Sequence, residues 1–180
     1  MQELRRGADE TSAADRRRVR DGVKLKGAAA QLAAEFDAVL GEVIQAAESC
    51  AGGDWTLRIL AEERTVGVLF DHIAAGNDQS VEWASSLLRG RAVEVDPGLI
   101  DSENAAHARE ARGKTRDDTI QRLRETTART SRFFHALSDE QLNVTQKFGW
   151  LGTQDVAFVV RQAIRHPQRH LQSIREALGA

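Results

Sequence analysis

Apolar residues recur along this chain at steps of three and four, and no segment sustains alternation in twos. Leu32, Phe36, Val39, Leu40, Val43 and Ala47 fall on one stripe of a first helix, which the glycine pair in "AGGD" at 51–54 closes. Thr65 is placed to cap a second helix, "VGVLFDHIAAGNDQSVEWASSLLRG", with Leu69, His72, Ala75 or Gly76, Trp83 and Leu87 inward and Gly90 as its stop. Residues 90–116 read as a long polar connection around Pro97 and Gly98, with a short helix from about Asp101 to Ala111. The third long helix, "DDTIQRLRETTARTSRFFHALSD", has the stripe Ile120, Leu123, Thr127, Thr130, Phe134 and Leu137. "NVTQKFGWLG" reads as a loop with β character. Thr153 and Asp155 open the fourth helix, with Val159, Ala163, His166, His170, Ile174 and Ala177 on one face. Four amphipathic helices, with a long connection between the second and third, predict an all-α four-helix bundle.

The bundle is expected over residues 28–180, as one domain with one core. Residues 1–27 are polar and charged, with Arg16, Arg17 and Arg18 as the densest basic run. Acidic residues are interleaved, so the segment reads as a solvated leader rather than a nucleic-acid arm. A helical extension onto a partner subunit is the other reading. The net charge of −2 gives no reason to expect nucleic acid or an anionic membrane as a partner. The single cysteine, Cys50, permits no internal disulfide. No apolar run reaches the ~20 residues of a membrane span, and the start lacks a secretory h-region, so the expected location is the cytoplasm.

The histidines change the picture. "RHPQRHLQSI" places His166 and His170 four apart, on the apolar stripe of the last helix, and His72 lies on the inner face of the second. An imidazole in a core loses water at its nitrogens. One ion can satisfy three such rings together, and neutral imidazole suits zinc, nickel, copper or iron. The other reading is three buried rings bonded to backbone carbonyls or water. Pro167, between the pair, removes an N–H bond to the Ala163 carbonyl and predicts a kink. It also occupies the place where a His-Glu-x-x-His protease carries its glutamate, which excludes that class.

"TVGVLFDHIA", "IDSENAAHA" and the C-terminal "RHPQRHLQSIREAL" together resemble the DinB-like superfamily, over roughly residues 28–180. That group includes proteins described as YfiT-like metal-dependent hydrolases and thiol-dependent transferases of the mycothiol-dependent maleylpyruvate isomerase kind. The resemblance implies an up-down-down-up bundle holding a divalent metal (zinc, nickel, iron or manganese) on His72, His166 and His170. It implies metal-assisted hydrolysis, or transfer of a low-molecular-weight thiol to an electrophile, on a small-molecule substrate. It also implies a homodimer. The rival readings are a non-catalytic metal- or ligand-binding stress-response bundle and a metal-free interaction module.

No catalytic base is assigned. Asp71, Asp78 and Glu82 qualify only by proximity along the second helix, with Asp71 expected to point away from His72. Asn104 reads as a pocket residue or a helix-start residue. His107, three residues after Asn104, reads as a surface histidine or as one that reaches the same site; His135 reads as exposed, and Cys50 as a buried, inert thiol. Trp55, Trp83 and Trp150 read as core or interface aromatics, with Trp150 also placed to flank the metal pocket.

Overall fold

Phe36, Leu69, Leu123 and Ile174, one from each predicted stripe, have no exposed surface and join one core. They are placed by a computed structural model that describes residues 27–179. The leader expected over 1–27 therefore lies outside the described residues, apart from Gly27. Four long helices carry the core: α1 (Ala28–Ser49), α2 (Val66–Leu88), α4 (Arg116–His135) and α5 (Val156–Leu178), with a shorter α3 (Pro97–Ala111) in the long connection. The chain is an all-α bundle. Helix α1 packs on α4 and α5, and α2 packs on the same two, so α1 and α2 occupy opposite corners.

Each helix start is written locally. Thr65 accepts from the Val68 N–H, Thr115 from Asp118 and Asp155 from Phe158, which satisfies donors that the first turn leaves free. Helix α3 begins at Pro97 rather than at Asp101. Asp96 accepts from the Leu99 N–H at 3.0 Å, and Pro97 sits in the first turn, where its missing N–H has no intrahelical partner to lose. In the middle of α4, Thr126 and Thr130 are buried and Thr127 is half-buried. They meet Asn77 of α2, whose side-chain amide donates to the hydroxyls of Thr126 and Thr127. Helix α5 runs on through Pro167, which is buried within it.

Two small hairpins close the ends. β1 (Arg58–Ile59) pairs antiparallel with β2 (Arg64–Thr65) around a 3₁₀ turn at Leu60–Glu62. β3 (Thr145–Lys147) pairs with β4 (Thr153–Asp155), in the segment with predicted β character. The first hairpin was not predicted, because its strands are too short for alternation to register. Gly149 sits at φ 46°, and a Cβ there would lie 1.9 Å from the Val95 carbonyl oxygen. Its N–H donates to Val93, which ties the chain after α2 to the hairpin before α5. Among the described residues no helix is long and apolar enough to cross a membrane.

Phe36 meets Phe134 edge-on at 5.0 Å between ring centres. Phe36→Ala should lower unfolding stability by about 3–5 kcal/mol, the usual loss for a large buried ring. Urea denaturation followed by circular dichroism measures it.

Candidate metal centre

Thr65 fixes where α2 begins, and that sets His72 on the face towards α5. On α5 the four-residue step stacks His166 and His170 on the facing side. The three rings converge. His166 Nε2 lies 3.0 Å from His72 Nε2 and 3.0 Å from His170 Nε2. One ligand atom from each ring falls within 4.8 Å of the others. Gly76, one turn beyond His72, makes the slot for His166: a Cβ at position 76 would lie 2.9 Å from His166 Cε1 and 3.0 Å from Nδ1.

The donor set suits a cation. The Glu62 carboxylate lies 3.0 Å from His170 Nδ1 and also accepts from the Ser173 hydroxyl at 2.9 Å. An ionised carboxylate only accepts, so His170 Nδ1 carries the proton and its Nε2 presents a lone pair to the cluster. Burial raises the Glu62 carboxyl, but the His170 interaction and the Ser173 bond outweigh this and hold it below its ordinary value. Burial, then the neighbouring imidazoles, pushes His72 down to about 2. Burial, then His170, pushes His166 down to about 3. His170 is lowered too, burial outweighing its glutamate partner. The rings are therefore neutral, the state that binds metal. Two donors about 2.1 Å from one ion and at right angles lie about 3.0 Å apart, as these nitrogens do. The three histidines could hold a metal ion.

The triad opens into a cavity of about 560 Å³ between α2, α3 and α5. Trp83, Ile100, Leu151 and Phe158 form apolar wall, while Gln79, Asn104 and Gln162 supply amides. Asn104 is thus a cavity residue. Trp150 is not: it is 49% exposed, and Leu151 beside it takes the wall position.

Asp71 points away from His72, as expected, but into a buried cluster. It has no exposed surface, and it meets His107 Nε2 at 2.7 Å, Lys114 Nζ at 2.9 Å and Arg122 Nη1 at 2.7 Å. Burial alone would raise its carboxyl, but these three partners hold it far below the usual carboxylate range. His107 is therefore not a surface residue. It is half-buried in the cavity wall, its ring centre 5.7 Å from that of His72. Its Nδ1 is buried without a hydrogen-bond partner among the described residues. Asp78 is drawn outward to Arg129 and Glu82 is exposed, so neither reaches the cavity. His135 is exposed and pairs with Asp37. Cys50 is buried, and burial pushes its thiol up.

Sequence reasoning did not single out Glu62 or Arg64. Both lie in the first hairpin, and their link to the triad spans 108 residues at Glu62–His170. Their local segment has no periodic pattern that could signal it.

Compared with known families, residues 35–174 match the model described as the DinB superfamily. No curated protein matches the chain.

The depressed histidines set a pH dependence. Unfolded histidines take up protons below about pH 6.5, while the folded His72 and His166 resist them. The unfolded state then binds more protons, so stability falls as pH drops. In chelator-treated protein, urea midpoints should begin to decline near pH 6.5, well above the carboxylate range. The doubly substituted His72→Gln, His166→Gln protein should lose that early limb.

Proposed function

The chain belongs to the DinB superfamily, and on that footing we propose that it is a divalent-metal-dependent enzyme acting on a small molecule, with His72, His166 and His170 as ligands. The observation that carries the reading is the cavity. A purely structural metal site is enclosed by protein ligands. Here the histidines form one end of a hollow of about 560 Å³, large enough for a small organic substrate. When bound, the ion supplies Lewis acidity, which draws a coordinated water or thiol towards its ionised form near neutral pH.

The chain's own groups do the rest. Glu62 holds the proton on His170 Nδ1 and so keeps Nε2 turned to the ion. Gly76 admits His166 to the corner. Apolar wall residues exclude water from one side of the substrate, and the amides of Gln79, Asn104 and Gln162 can orient its polar groups. Hydrolysis of an ester or amide, and transfer of a low-molecular-weight thiol to an electrophile, are the two reactions this site would support.

Elemental analysis of purified protein should find about one divalent ion per chain, and His170→Ala should lose most of it. Glu62→Gln should keep the fold and weaken metal affinity by roughly 10–100-fold, the usual effect of removing a ligand's hydrogen-bond partner. Competition against a metallochromic dye reads both. Turnover by metal-replete protein on esters and amides assigns a hydrolase, and thiol consumption with an electrophile assigns a transferase. Metal binding without turnover across both panels would leave a non-catalytic metal protein and overturn the enzymatic reading.

A further inference from the structure

Among the described residues Arg64 has one distant ionic neighbour and no hydrogen-bonding partner. Its side chain is only 17% exposed, and its nearest carboxylate oxygen is Glu62 Oε2, at 3.9 Å. That separation is too long for a hydrogen bond. The other Glu62 oxygen is already taken by His170 and Ser173. The guanidinium donates to none of the described residues. Its guanidinium nitrogens are not sealed from solvent, so the cation keeps water where the fold offers it no close acceptor, and that water is what an anionic ligand would replace.

Arg64 lines the cavity beside the histidine triad, and its charge opposes protonation of all three rings. Arg169 lines the same cavity without an ion-pair partner among the described residues, and it opposes protonation of His166 and His170. Against these two cations the cavity wall sets one carboxylate, Glu103. The remaining wall offers Trp83, Ile100, Leu151 and Phe158.

We infer that the cavity takes an apolar-bodied carboxylate, its hydrocarbon or aromatic part on that apolar wall and its carboxylate on the Arg64 guanidinium. This deepens the proposed function and rests on the cavity being the substrate site. A single planar guanidinium fork matches the two oxygens of a carboxylate. Glu103 in the same wall repels a more highly charged group such as a phosphate dianion. Arg169, more exposed, draws the anion towards the mouth.

Two probes with one body separate charge from shape: 4-phenylbutyrate and its amide, 4-phenylbutyramide. Titration calorimetry on the full chain, chelator-treated and zinc-loaded, compares them. In the chelator-treated protein no ion can attract the carboxylate. There 4-phenylbutyrate should bind at least ~10-fold tighter than the amide, equivalent to about 1.4 kcal/mol. Arg64→Met should abolish that preference and Arg169→Gln should leave most of it. Equal binding of the two probes, no binding of the carboxylate at millimolar concentration, or a preference that survives in folded Arg64→Met would overturn the inference. If Arg64→Met does not fold, Arg64→Lys keeps the charge and removes the fork. A preference reduced several-fold then supports the inference, and an unchanged one overturns it. Protein that holds no metal yet keeps the Arg64-dependent preference removes the metal reading alone. Metal-loaded protein without the preference removes this inference alone.

Discussion

His166 Nε2 stands 3.0 Å from both His72 Nε2 and His170 Nε2 in one corner of the bundle, and most of the site's other features follow from that crowding. At such distances in a low-dielectric setting the rings cannot carry charge together. They are held neutral, and a neutral ring has one proton and one lone pair to place. Glu62 decides the matter for His170 by taking the Nδ1 proton. Space has to be found as well as charge balance. Helices normally meet through side chains, but here α2 presents a bare glycine where the His166 ring stands. The lone-pair cluster, the glutamate behind it and the gap at Gly76 are parts of one solution.

Asp71 and His72 show how adjacent residues divide the work. Successive positions on a helix point roughly 100° apart. His72 therefore faces α5, while Asp71 faces the other side, where His107 of α3, Lys114 and Arg122 of α4 surround it. That cluster fixes α3, which otherwise buries only Ala111, against the bundle. Since α3 carries Ile100, Asn104 and His107 of the cavity wall, one buried carboxylate sets the distance between that wall and the histidine corner. The fully paired Asp71 is then a structural anchor, and its neighbour in sequence belongs to the chemistry.

What could be read from the chain alone depended on periodicity. His72, His166 and His170 stood out because polar rings interrupted otherwise apolar stripes, and the same stripes gave the four long helices. Where the pattern was weak, the reading slipped. The pattern alone starts α3 at Asp101, although the Asp96–Pro97 pair is a recognisable helix opening, and it leaves His107 between the surface and the pocket. Thr126 rather than Thr127 is buried on α4, a one-position error in a stripe made of small polar residues. Glu62 and Arg64 were beyond reach for a different reason. Two-residue strands have no period, and both residues owe their roles to a helix more than a hundred positions away.

Gly76 has a consequence for how this sequence can drift. Glycine inside a helix forgoes about 1 kcal/mol relative to alanine, so random substitution ought to replace it readily. The His166 ring blocks that exchange through simple occupancy of space. The two positions are therefore coupled in inheritance although they lie on different helices. A descendant chain that discards His166 frees position 76 to become alanine and gains helix stability by doing so. A descendant that keeps His166 keeps the glycine. The pair would record, in the sequence alone, whether the histidine corner is still under selection.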